Sequence, residues 1–126
     1  MNISSVDSVS NLFQAIGPAA RIQILLAIGE GETCVCHLEA MLGLRQAALS
    51  QHLMALREAG IVSDRRQGRY IHYRLCNPSL LNLVRQAAAM QDVSLPELAP
   101  GSDCNCPDCC TTRQAGGEGQ RCKEAP

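Results

Sequence analysis

The 126 residues suit one domain of ordinary size plus a tail, not two domains. Hydrophobic residues make up 46%, enough for a core, but one Phe, two Tyr and no Trp leave its packing to aliphatic side chains and alanine. The net charge of −1 hides a strong asymmetry. Residues 1–43 carry Arg21 against four acidic groups, residues 44–75 carry six Arg against Glu58 and Asp64, and residues 92–126 hold three basic and six acidic groups. Positive charge is thus gathered in a central window, and its distribution matters more to a polyanionic partner than the sum. No apolar run approaches the ~18 residues of a membrane span. Met1 to Ser10 lacks the basic start and apolar stretch of a signal peptide, so a cytoplasmic chain with no membrane partner is expected. Eight Cys in that setting point to metal or redox ligands rather than a disulfide framework, because the cytosol keeps thiols reduced.

Taken in chain order, Val6, Val9, Phe13 and Ile16 recur at helical spacing with Leu12 beside them, giving a first amphipathic helix. Gly17 and Pro18 punctuate it, with Pro18 suited to the first position of a second helix holding Ile22, Leu25, Leu26 and Ile28. Thr33 is a candidate cap for a short third helix with Cys36, Leu38, Met41 and Leu42, stopped at Gly43. Leu49, Leu53 and Leu56 mark a fourth helix running to about Ala59-Gly60. The period then changes to two. Ile61 to Arg66, a break at Gln67-Gly68, and Arg69 to Leu75 read as a β-hairpin. Asn77-Pro78-Ser79 opens a fifth helix with Leu80, Leu83, Val84 and Ala87 on one face. Beyond Asp92, Pro and Gly dominate, so residues 1–92 are expected to form the domain and 93–126 a flexible, cysteine-rich tail.

Short helix, tight turn, second helix and a hairpin with a basic tip follow one another in the order of a winged helix-turn-helix: mainly α, about five helices plus a two-stranded wing. The start of the fourth helix offers Arg45, Gln46, Ala47, Ala48, Ser50 and Gln51 to base edges. Gln can bond adenine bidentately, Ser is adaptable, and a small apolar side chain can meet a thymine methyl. Arg65, Arg66 and Arg69 at the hairpin tip suit phosphate or minor-groove contact, which supplies salt-sensitive affinity.

Ala48-Leu49-Ser50-Gln51-His52-Leu53, Leu56-Arg57-Glu58-Ala59-Gly60-Ile61-Val62 and the run Arg65 to Leu75 together resemble the recognition helix and wing of the ArsR/SmtB family of metal-responsive repressors. The stretch Gly17-Pro18-Ala19-Ala20-Arg21-Ile22 is similar to that family's entry into its second helix, and the resemblance spans roughly residues 5–90. It implies a homodimer on double-stranded operator DNA, with His52 packing or hydrogen-bonding near the DNA. The apolar faces of the first and fifth helices, uncovered within one compact subunit, fit the dimer. Arg45 stands where the family places a Ser cap, a departure that costs on the order of 1 kcal/mol unless Arg45 takes a phosphate.

Glu32-Thr33-Cys34-Val35-Cys36-His37-Leu38 resembles the Cys-Val-Cys box of the family's arsenic- and cadmium-sensing branch, with Thr33 and His37 as departures and Glu39 where a third cysteine would stand. Two thiolates are too few for a stable soft-ion site. The tail offers Cys104, Cys106, Cys109 and Cys110, with Cys122 further on. Thiolates select thiophilic ions, so the expected effector is As(III) or Sb(III), or Cd(II) or Pb(II). Cys76 reads as a small buried hydrophobe, and His37 and His72 as structural. The family's zinc site on the fifth helix is not expected, because Pro78 to Gln91 contains no His, Asp or Glu. Residues i and i+2 of an α-helix do not face each other, so one ion held by Cys34 and Cys36 is expected to require an unwound first turn of the third helix.

Two alternatives stand beside metal-dependent release. One is a thiol-redox or reactive-sulfur switch linking Cys34 or Cys36 to a tail cysteine. The other is a metal-buffering protein built on the tail. An enzyme is not expected, since no nucleophile–base pair, phosphate-cradling loop or catalytic metal motif is present.

Overall fold

The computed structural model describes residues 3–96. Its elements are α1 (Ile3–Ile16), α2 (Ala19–Ile28), β1 (Glu32–Cys34), α3 (Val35–Leu42), α4 (Gln46–Glu58), β2 (Val62–Gln67), β3 (Tyr70–Leu75) and α5 (Leu80–Met90). Five helices and a two-stranded wing are as expected, and a third strand joins them. No single helix among the described residues is long and apolar enough to cross a membrane.

The core forms where the aliphatic stripes converge. Ile24, Leu25 and Ile28 of α2 meet Leu38 of α3 and Leu49, Leu53 and Leu56 of α4, all essentially without solvent contact. Val62, Tyr73 and Leu75 close the cluster from the sheet, and Leu80, Leu81 and Val84 from α5. Ala88, not Ala87, completes the buried face of α5. α1 contributes only Leu12, Ala15 and Ile16 to this core. It turns through 85° into α2 at Gly17-Pro18, with Pro18 serving as the N-cap residue and its carbonyl accepting from the Arg21 and Ile22 amides. The turn leaves Val6, Val9 and Phe13 on the outside, each about half exposed (52%, 54% and 53%).

The sheet order is β1-β3-β2, antiparallel throughout. β3 is therefore central, flanked by its hairpin partner and by the three residues that precede α3. The hairpin turns at Gly68-Arg69, one residue later than the sequence pattern suggests. Gly68 takes φ 61°, as the first position of a tight two-residue turn requires.

β1 overturns the expected cap of α3. Thr33 pairs with Tyr73 of the wing and is buried, so it cannot turn back onto the helix. Cys34, at φ −81° and ψ 159°, is the N-cap instead, and its Sγ accepts from the His37 amide at 3.4 Å.

Candidate effector site and nucleic-acid interface

Cys34 ends a strand and Cys36 lies within the first turn of α3. This break in regular structure brings two side chains together that a continuous helix would hold apart. Their Sγ atoms lie 2.7 Å apart, and both residues are thiols rather than disulfide halves. The expectation that α3 must unwind to present the pair is thus corrected: Cys34 is already outside the helix, in extended backbone. Cys34 is fully buried and Cys36 half-buried, with Tyr70 packed against them.

Soft, polarisable sulfurs converging on one point suit a thiophilic ion, so the donor set fits two ligand positions of such a site. Among the described residues, no group of three or more His, Cys, Asp or Glu side chains comes together in a geometry that could hold an ion. Cys104, Cys106, Cys109 and Cys110 lie outside the described residues. Cys76 differs from its expected role as a buried hydrophobe: it is half-buried and disulfide-bonded. His37 and His72 are both buried.

The cysteine pair opens onto a cleft of about 460 Å³ whose other walls are α4 and the wing. From α4 come Gln46, Ser50, Leu53, Met54 and Arg57, and from the wing Arg69, Tyr70, Ile71 and Tyr73. Burial and the Asp64 carboxylate raise the Tyr73 hydroxyl above its ordinary pKa near 10. Arg57 opposes that shift and forms an ion pair with Asp64 at 3.4 Å.

α4 has two faces. Leu49, Leu53 and Leu56 are buried, whereas Arg45, Gln46, Ala47, Ser50, Gln51 and Met54 are exposed. Arg45 is the N-cap residue of α4 and makes no side-chain cap, which leaves its guanidinium outside the helix. His52 is half-buried, and its Nδ1 accepts from Arg21 Nε at 3.1 Å. That contact puts the proton of a neutral imidazole on Nε2. A second Arg21 nitrogen, Nη1, donates to the Ala15 carbonyl at 3.0 Å, so Arg21 ties α1, α2 and α4 together.

The three wing arginines diverge. Arg66 and Arg69 are exposed. Arg65 is only 10% exposed, in an ion pair with Glu32 of β1, and its Nη1 donates to Gln67 Oε1 at 2.8 Å. Arg65 is therefore a brace between β1 and β2 and not part of the displayed basic tip. Sequence reasoning missed Glu32, Arg21 and Tyr70. The alternation of a strand offered one signal, since Arg65 and Arg66 must point to opposite faces.

Residues 19–64 match the family model "Bacterial regulatory protein, arsR family". The arsenical resistance operon repressor of Escherichia coli is 45% identical over 65 residues, which are 51% of this chain and 56% of that protein. The transcriptional repressor SmtB homolog of Synechocystis is 31% identical over 88 residues, 70% of this chain and 67% of that protein. Among solved structures, the homodimeric winged helix-turn-helix DNA-binding domain of a possible ArsR-family regulator from Mycobacterium bovis matches with TM-score 0.63 and 27% identity. That match covers 71% of this chain and 83% of the other. With its fold and these likenesses, the chain belongs to the ArsR/SmtB family, whose members are DNA-binding transcriptional repressors and not enzymes.

Proposed function

We propose that this chain is a cytoplasmic homodimeric repressor that releases its operator when a thiophilic metal or metalloid is captured by Cys34 and Cys36. Arsenite or antimonite, and cadmium or lead, are the ions this donor chemistry suits, with Cys104, Cys106, Cys109 and Cys110 supplying the remaining thiolates. The observation that carries the reading is the position of the cysteine pair in a wall shared with the recognition helix and the wing. On the DNA side, Gln46, Ala47, Ser50 and Gln51 face base edges in the major groove. His52 Nε2, Arg45, Arg66 and Arg69 contact the backbone. The exposed stripe of Val6, Val9 and Phe13 is the subunit interface.

Release follows from what Cys34 does in the fold. Its sulfur caps α3 through the His37 amide, and drawing that sulfur away removes this cap, a weaker one than an oxygen cap of about 1 kcal/mol. α3 leads through Gly43 directly into α4. Cys34 is also the cross-strand partner of His72, so its displacement reaches the wing as well. Coupling of ~1–3 kcal/mol lowers operator affinity about 5–150-fold. Titrating arsenite or cadmium against labelled operator tests the proposal: affinity should fall with the wild type and hold with Cys34→Ser, Cys36→Ser. Unchanged wild-type affinity at saturating ion would overturn it.

The close approach of the Cys34 and Cys36 thiols, 2.7 Å apart, favours a second reading, a thiol-redox switch at Cys34 or Cys36. Oxidant in metal-free buffer would then release DNA without any ion.

A further inference from the structure

We infer that Arg21 is a positioning residue for DNA binding: from α2 it fixes the tautomer and ring orientation of His52 on α4, so that Nε2–H is the donor turned to the operator backbone. The inference deepens the DNA reading above and rests on it for the phosphate contact, although the tautomer stands by itself.

Placement comes first. Arg21 is the only Lys or Arg before Arg45, outside the basic window that the wing and α4 share. A guanidinium that only solvates a helix surface points outward. This one is half-buried, and two of its nitrogens meet defined acceptors on other helices. Nε donates to His52 Nδ1 at 3.1 Å, and Nη1 donates to the Ala15 carbonyl at 3.0 Å. The second bond anchors the guanidinium plane on the last turn of α1 and so sets the direction of the first.

Chemistry comes second. A guanidinium has donors and no acceptor, so Nδ1 must be the lone-pair nitrogen of the ring. The other neutral tautomer, or a ring flipped about χ2, would lose that contact. His52 stands between exposed Gln51 and buried Leu53, at the margin of the reading face. The ring edge held toward α2 therefore leaves the Nε2 edge for a partner outside the core. A cationic donor on Nδ1 also draws electron density from the ring, which makes Nε2–H a stronger donor to a phosphate oxygen. Through Arg21, the last turn of α1 is linked to the atom that meets the backbone.

The test measures operator affinity of the reduced full chain by fluorescence anisotropy, for Arg21→Met, His52→Gln, His52→Asn and the combination of Arg21→Met with His52→Gln. Met keeps the aliphatic stem and the helix propensity of position 21 without its donors. Gln carries an amide donor near the place of Nε2, whereas Asn reaches only the place of Nδ1. Arg21→Met should weaken binding about tenfold, because each of two subunits loses part of a charge-assisted hydrogen bond. On the His52→Gln background the same change should cost less than about twofold. His52→Asn should weaken binding about tenfold or more, and His52→Gln less than about threefold. Equal loss from Arg21→Met in both backgrounds would mark a merely structural tie and overturn the inference alone. His52→Asn without effect would remove the backbone contact assigned to His52, and the inference with it. The imidazole 15N spectrum of the wild type decides even if Arg21→Met does not fold. At about pH 8.5, above the ordinary imidazole range, His52 should show a protonated Nε2 and a bare Nδ1, and a proton on Nδ1 would overturn the inference.

Discussion

Glu32 and Arg65, 33 residues apart in sequence, clasp the cysteine-bearing strand to the wing: the guanidinium Nε and Nη2 both donate to the Glu32 carboxylate. The pair is mostly shielded, at 17% and 10% side-chain exposure, so its value lies between that of a surface pair and a buried one. Glu32→Gln should cost about 1–3 kcal/mol of stability, read as a lowered midpoint in urea with unchanged slope. Operator affinity should fall as well, because the wing loses its anchor. A rise in affinity would mean that Arg65, once released, is a DNA contact after all.

Salt dependence separates the arginines of the wing. Arg66→Ala and Arg69→Ala should each reduce the slope of log affinity against log salt by about 2, one phosphate contact being lost in each of the two subunits. Arg65→Ala should leave the slope unchanged while lowering stability. Fluorescence anisotropy of labelled operator over a salt series measures all three.

The stripe of Val6, Val9 and Phe13 makes oligomeric state a direct readout. Val9→Asp combined with Phe13→Asp places two charges where an apolar interface is expected. Sedimentation should show a monomer, and operator affinity should fall by two orders of magnitude or more as one of two reading heads is lost. Because both side chains are half exposed in the single chain, the fold of each subunit should persist by circular dichroism.

Tyr73 sets an alkaline limit. Its folded-state pKa lies above the ordinary value near 10, so the native state holds its proton where the unfolded chain releases it. The associated stability is fully present below pH 10 and is lost as pH rises through the folded value. Tyr73→Phe should remove that alkaline loss, seen as flatter urea midpoints between pH 9.5 and 11.

The helices and the hairpin were legible because each rests on local periodicity. Leu49, Leu53 and Leu56 announce α4, and the alternation of Ile71, Tyr73 and Leu75 announces β3. β1 was not legible. Three residues carry no measurable period, and their pairing partners, Arg74, Tyr73 and His72, lie some forty positions away. Missing β1 displaced the cap of α3 from Cys34 to Thr33, and with it the geometry of the cysteine pair. The chemistry of the site was visible in the residue types; the reason its sulfurs meet was not, since it depends on a strand ending between them. The basic tip was half legible, because counting arginines does not reveal which one a distant carboxylate holds.

Since β3 is the middle strand, one backbone segment belongs both to the reading wing and to the chamber beside the thiols. Transplanting a wing from another regulator onto this scaffold would replace Tyr70 and Ile71 along with the arginines. On the proposed function, chimeras made that way would exchange inducer preference together with operator preference, and neither property could be swapped by itself.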